Sequence, residues 1–445
     1  MPSPDRSLRR FLWLLNKEFR ELVASKAWWV LLLAMGPLTG MSFIGAMRTY
    51  AEVSGLNGGS AGVGEALSPL IGVWAPAFSS CELAAVFLLP FVAIGLVAGD
   101  RQSGALRLEM QQPFGPGLRI TAKALVLLAG WLLAMLPPLS AIPLWVSLGG
   151  SVWPPELLTL VLGHLLNAGL TIALAAAMAS LAEHHATAAI LTLGVTVGTW
   201  ILSFLGAIQG GLWERAAAYT PAVMVSQFQH GLIRLDVLGA ASLLILAGLA
   251  IAALWLRTGV SVPRRGRESA VLLTATAALL AACTLLTPSW DTSESRGNSF
   301  PRADEQALAA IRQPLFIEVH LAPEDPRRVE LEARALSKLR RVLPGVQVRY
   351  VSSSSIGLFE QAQPGYGEIW YSLAGRRAMS RATTPDGLLE AIYSLAGITP
   401  PLESGADIFR GHPLAKEPKG AAALFYFVWP AAFLAGAIIA RRRLS

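Results

Sequence analysis

Few side chains in this sequence are spaced for chemistry, and each set has a plain structural alternative. His164 and Asn167 stand one helical turn apart in an apolar stretch. Such a pair can line a polar path through a membrane, or hydrogen-bond neighbouring helices. Gly58–Gly62 reads GGSAG and fits GxSxG in form. A nucleophile elbow needs a strand before it and a helix after it, whereas this stretch lies among small residues and reads as an outer loop. His184 and His185 are adjacent, a poor geometry for one metal ion, and read as a solvated turn. Glu82 reads as a carboxylate at headgroup level where an apolar stretch begins. No GxxxxGK[ST], HExxH or CxxC occurs, so none of these devices for nucleotide, zinc or redox chemistry is present. Cys81 and Cys283 are the only cysteines. A single bridge between them stays open, with two small apolar helix residues the simpler reading. No catalytic constellation emerges, and the chain is read as a non-enzyme that holds no metal and no cofactor itself.

The elements that would position these residues are set by composition. The chain has 445 residues, of which 53% are apolar and 15% charged, with a mean hydropathy of +0.51. Soluble domains carry about 25% charge, so this is the make-up of a membrane protein. A spanning helix needs about 20 apolar residues. Eight segments qualify, near 27–47, 78–98, 121–147, 157–181, 187–207, 237–256, 269–287 and 421–440. The last but one follows Arg264, Arg265 and Arg267 and ends Leu-Ala-Ala-Cys. That resembles a lipoprotein signal, but inside the chain it reads as a seventh span. Trp28, Trp29, Trp74 and Trp131 read as interfacial anchors.

Charge orients these spans. Residues 288–420 hold 16 Lys/Arg and 16 Asp/Glu, so the formal excess of +7 lies in the apolar remainder. This places the basic excess beside membrane spans and argues against nucleic acid as a partner. With the N-terminus inside, the inner segments carry Arg6, Arg9, Arg10, Lys17, Arg20, Lys26, Arg101, Arg107, Arg119, Lys123, Arg257, Arg264, Arg265, Arg267 and Arg441–Arg443. The short outer loops carry only Arg48, Arg215 and Arg234. By the positive-inside rule both termini are cytoplasmic and residues 288–420 extracytoplasmic.

Residues 1–26 read as an amphipathic helix in the interface. Leu8, Phe11, Leu12, Leu15, Phe19, Leu22 and Val23 share one face, with Arg9, Asn16, Lys17 and Arg20 off it. Residues 288–305 read as a Ser/Pro-rich linker. Beyond it, strands at Pro314–Ala322, Val346–Val351 and Gly367–Gly375 alternate with helical patterns at 326–343 and 385–397. That order suggests a small α/β unit with a largely parallel sheet.

The polar interruption Val97–Lys123 is an inner loop in this topology. Asp100 and Ser103 can cap a short helix over Ala105, Leu106, Arg107 and Glu109, and Pro113 and Gly115 can end it. Tied to two spans, such a helix is a lever for a soluble partner; a plain solvated loop fits the same residues.

Resemblance favours the lever. Asp100, Arg101, Ser103, Gly104, Ala105 and Leu106, leading on to Lys123, resemble the loop between the second and third spans of ABC-2 type transporter permeases. Ala105 stands where Thr is usual. Asn16–Leu33 is similar to the elbow helix and first span of that family. Thr220–Gly239, with Phe228, Gly231, Ile233 and Asp236, is similar to the segment before its sixth span. The gliding-motility type is the nearest likeness. Segments within 314–415, including IFRGHPLA around His412, resemble its auxiliary subunit, an α/β domain in the periplasm.

The resemblance implies an α-helical polytopic membrane protein of the bacterial inner membrane. Its parts would be an elbow helix (1–26), a six-span ABC-2 permease unit (27–257), a linker and seventh span (258–287), an extracytoplasmic α/β domain (288–420), and an eighth span with a basic tail (421–445). Asp100, Arg101, Ser103, Gly104, Ala105, Leu106, Arg107 and Glu109 would form the coupling helix. Phe11, Leu15, Lys17, Phe19 and Arg20 would form the elbow interface, and His164 and Asn167 a translocation path. The partners implied are an ABC ATPase, which holds the ATP and magnesium, a second identical or related permease chain, membrane lipids and an envelope protein. Substrate transport is the expected activity. The alternative is a subunit that moves its outer domain and passes nothing.

Overall fold

Long apolar runs must satisfy their backbone internally where no water reaches, and the helix does this within one segment. The computed structural model describes residues 4–53, 68–102, 114–209, 211–322, 325–343, 345–351, 365–401, 412 and 418–444. Eight helices among them are long and apolar enough to cross a membrane: Lys26–Val53, Leu70–Gly99, Pro116–Ser147, Pro154–Leu181, His185–Gly206, Leu235–Trp255, Val262–Cys283 and Ala421–Arg443. They are called spans 1 to 8 here. The number and order match the sequence reading, but several helices outrun their apolar cores. Span 2 begins at Leu70, so Glu82 lies well inside it. There Glu82 is half-buried and accepts a hydrogen bond from Gln229. Span 7 takes in Arg264 and Arg265: Glu268 pairs with Arg264 at 3.0 Å and with Arg257 at 3.2 Å, and Arg265 donates to the Trp255 carbonyl at 3.2 Å. Prolines 116, 154 and 263 stand in the first turns of their helices, where a missing N–H costs nothing. Gly115 therefore serves as the residue before span 3.

Small residues bring the spans together. Gly248 on span 6 faces Ala173 on span 4, where an added Cβ would lie 3.0 Å from the alanine methyl. Gly36 and Gly40 on span 1 receive span 8, and a Cβ at Gly36 would lie 2.7 Å from the Phe425 carbonyl oxygen. Spans 8 and 7 thus flank the first six, one on span 1 and the other on span 6. Trp74, Trp131 and Trp28 are buried in the bundle core, not spread along its interfaces as expected. Trp74 meets Trp145 edge-on at 5.8 Å between ring centroids. A tryptophan on a multi-span helix faces whichever neighbour the packing supplies, and hydropathy does not encode that choice. Cys81 and Cys283 are both free thiols, so the bridge left open does not form here.

Among the described residues the strands are β1 (Leu232–Arg234), β2 (Ser289–Asp291), β3 (Leu315–Val319), β4 (Val346–Tyr350), β5 (Ile369–Leu373) and β6 (Arg376–Ser380). The last four form one sheet in the order β4-β3-β5-β6. Only β3 and β4 run parallel, while β3–β5 and β5–β6 are antiparallel. This corrects the largely parallel sheet. The β5–β6 pairing is closed by the two-residue turn Ala374-Gly375, with φ of 52° and 79°. Positive φ at both positions makes a tight hairpin and folds β6 back on β5. Leu315, Ile317 and Val319 alternate inward with Ile369, Tyr371 and Leu373, against helix Pro385–Ala396 and the helical run 326–342.

The run 326–342 is capped by Asp325, which accepts from the Arg327 backbone N–H at 2.9 Å. The Arg327 guanidinium beside it, the largest influence, holds the Asp325 carboxyl down at about 2; the Tyr366 hydroxyl at 2.7 Å adds to this. A depressed carboxyl stabilises the fold above its unfolded pKa and stops doing so as pH falls through the folded value. Wild type should therefore melt above Asp325→Asn at pH 5, and the gap should close between pH 4 and pH 2. Thermal unfolding of both chains across that range checks this.

Candidate functional site

The N-terminal helix Pro4–Ala24 carries one carboxylate where an apolar residue would be expected. Leu14, Glu18 and Leu22 follow at four-residue intervals, and all three are buried. Gly130 on span 3 makes room for this face: a Cβ there would lie 2.7 Å from Leu22 and 3.0 Å from the Trp28 indole nitrogen. Span 3 answers with Lys123, on the same side as the buried Arg119, Ile120 and Leu127.

The Lys123 ammonium lies 2.6 Å from Glu18 Oε2, with 4% and 1% of the two side chains exposed. It also donates to the Leu96 carbonyl at 2.9 Å. Glu18 Oε1 accepts from Lys17 at 3.2 Å, and Lys17 also reaches Glu21 at 3.0 Å. A desolvated pair of this kind is stable only with good geometry and further hydrogen bonds, and both are present. One ammonium thus joins three elements: the N-terminal helix, the last turns of span 2 and the first turns of span 3.

This clamp stands at the two roots of the Val97–Lys123 interruption. Asp100 and Arg101 fall in the last turn of helix Leu89–Gln102. Ser103, Gly104, Ala105, Leu106, Arg107 and Glu109 lie outside the described residues. On the N-terminal helix, Phe11, Leu15 and Lys17 are half-buried, while Phe19 and Arg20 are exposed. Leu12 and Trp13 also point outward. The stripe that packs on protein is therefore turned away from the one expected, and Leu12 and Phe19 are left for lipid. Glu18 was missed although the sequence carried a signal. It is an acid spaced by four residues from leucines on both sides.

His164 and Asn167 are both buried on span 4. The His164 ring lies against Phe78 at 5.5 Å between centroids, and neither ring nitrogen has a hydrogen-bond partner among the described residues. Gly163 beside it admits Phe228. His164 is thus held by aromatic packing, and the charged or amide partners of a polar relay are not gathered round it. Among the described residues no group of three or more His, Cys, Asp or Glu could hold a metal ion.

A second polar cluster sits at the other end of the bundle, where residues 289–299 were expected to be linker. Strand β2 pairs antiparallel with β1, Ile233 opposite Trp290. Thr292 donates its backbone N–H and its hydroxyl to the Gly231 carbonyl, both at 2.8 Å. Trp153 donates to the Thr292 carbonyl at 3.0 Å, and the Thr159 and Thr292 hydroxyls meet at 2.8 Å. Asn298 donates to the His230 carbonyl at 2.6 Å. His412 lies 2.9 Å from Glu294, and its carbonyl accepts from the Tyr50 hydroxyl at 2.7 Å. The segment leading into the α/β unit is fastened to spans 1, 4 and 6. Of the residues behind the family resemblance, Gly231 and Ile233 stand in this junction. Asp236 beside it pairs with Arg234 at 2.5 Å.

Comparison with protein-family models, curated proteins and solved structures finds no match to this chain.

Proposed function

We propose that the chain is the membrane-spanning permease subunit of an ABC transport system, in the inner membrane of a bacterium, with both termini cytoplasmic. A separate ATPase, carrying ATP and magnesium, would grip residues 100–113. The observation that carries this reading is the buried Glu18–Lys123–Leu96 clamp. A load applied to a loop with free roots would be absorbed by the loop. Here both roots and the N-terminal helix are joined by one desolvated ion pair, so a load tilts spans 2 and 3 together with that helix. The gain is mechanical, and it suits a chain driven from outside itself.

The test is a cysteine at Ala105. It should react with an impermeant maleimide only when the cytoplasmic face is open. A photocrosslinker placed there should capture a nucleotide-binding chain in the native host. Labelling from the opposite face, or capture that never includes an ATP-binding protein, removes the proposal.

One observation favours the alternative of force transmission. The β1–β2 junction ties the segment leading into the α/β unit to one end of the bundle, as a subunit that moves that unit would require. In vesicles holding the chain and its ATPase, ATP-driven solute flux supports transport. Displacement of the α/β unit without flux supports transmission.

A further inference from the structure

Span 1 presents Met41, Ile44, Gly45 and Arg48 as one helical stripe, and span 8 approaches it with Ala422 and Tyr426. Below this stripe the two helices touch at Gly36 and Gly40, where a Cβ on Gly40 would lie 2.7 Å from Phe425 and 3.3 Å from the Tyr426 ring. Above it they part, leaving a cavity of about 410 Å³. A Cβ on Gly45 would meet nothing within 4 Å, so the groove is open there. Its wide end carries Arg48 and Lys419, both exposed, and neither has an acidic partner among the described residues. From Met41 to Arg48 is seven residues, about 10 Å along the helix axis. Met41 at 60% and the neighbouring Phe427 at 72% exposure face sideways, where acyl chains would lie.

We infer that this groove binds an anionic phospholipid, with its phosphate between Arg48 and Lys419 and one acyl chain along Met41, Ile44 and Tyr426. Two cations at the membrane surface call for an anion, and an apolar slot opening beneath them calls for a chain attached to it. A free phosphate would satisfy the first and leave the slot empty. The site also supplies a contact between spans 1 and 8 exactly where the helices separate, so an occupant would brace the root of the α/β unit. The inference rests on the spans crossing a bilayer and not on any ATPase, so it and the proposed function fail independently.

Native mass spectrometry of the detergent-purified chain tests it, with phosphatidylglycerol and phosphatidylcholine offered at equal concentration. Phosphatidylglycerol should be retained preferentially. The double variant Arg48→Gln/Lys419→Gln should lose about thirtyfold in apparent affinity, from two charges near the surface. Gly45→Leu keeps both charges but fills the slot, and it should also weaken retention. Arg48→Lys should keep it, and Arg215→Gln, an exposed cation elsewhere, should leave it unchanged. Equal retention of both lipids, an unaffected double variant, or full displacement by inorganic phosphate overturns the inference.

Discussion

Lys123→Met is expected to destabilise the protein by about 3–5 kcal/mol, the range for removing one partner of a buried ion pair. The substitution keeps the length of the side chain and removes only the charge. Glu18, with no exposed surface, then loses the ammonium at 2.6 Å, and the Leu96 carbonyl loses its donor. Lys17 still serves one carboxylate oxygen, which keeps the loss toward the lower end. Glu18→Gln should cost somewhat less, because the buried Lys123 charge keeps Glu21 at 3.8 Å as a weaker counter-charge. The double variant Glu18→Leu/Lys123→Met should return to within about 1 kcal/mol of wild type, since an apolar pair of similar size replaces an ion pair at little net cost. Melting midpoints of the four chains in one detergent give the coupling energy. A single variant as stable as wild type would show that the pair bears no load. The double variant also separates folding from coupling, because it should fold and yet respond less to a partner at residues 100–113.

The second large effect is expected at the other end of the bundle. Gly231 has φ of +74°, and a Cβ there would lie 3.0 Å from Ser293 and 3.1 Å from Leu70. Gly231→Val meets both obstacles. A β-branched residue at positive φ costs roughly 1–3 kcal/mol, and overpacking adds about 1–3 kcal/mol. The carbonyl of Gly231 accepts both bonds from Thr292, so a shift here also opens the β1–β2 junction. Limited proteolysis should cut the variant within 289–299 well before wild type. Equal protease resistance would mean that the junction is held by β1–β2 pairing alone. Gly239→Ala is the control, since the nearest atom to its added Cβ is the Cys283 sulfur at 3.4 Å, an ordinary contact.

The resemblance to ABC-2 permeases rested on residues that now divide between these two ends. Lys123 closes the clamp at one end, and Gly231 and Ile233 belong to the junction at the other. Residues 103–109 of the expected coupling helix lie outside the described residues. Of the candidate path, His164 and Asn167 share a buried helix face as their spacing required, but the Phe78 ring was not foreseeable from that spacing.

Hydropathy is a local signal, because a helix satisfies its own backbone, and so the eight spans, their order and the strands at 315–319, 346–350 and 369–373 were readable from the sequence alone. The same locality hid what depends on a distant partner. Glu18 and Lys123 are 105 positions apart, and each by itself reads as a surface charge near a membrane. Strand β2 looked like linker because three residues have no pattern until β1 pairs with them. The β5–β6 hairpin turned on two positive φ angles at Ala374-Gly375, and the tryptophans on which helix came to face them. Sequence determined which segments leave water; only the tertiary structure decided which charges could follow them, since a charge is stable out of water only beside its counter-charge.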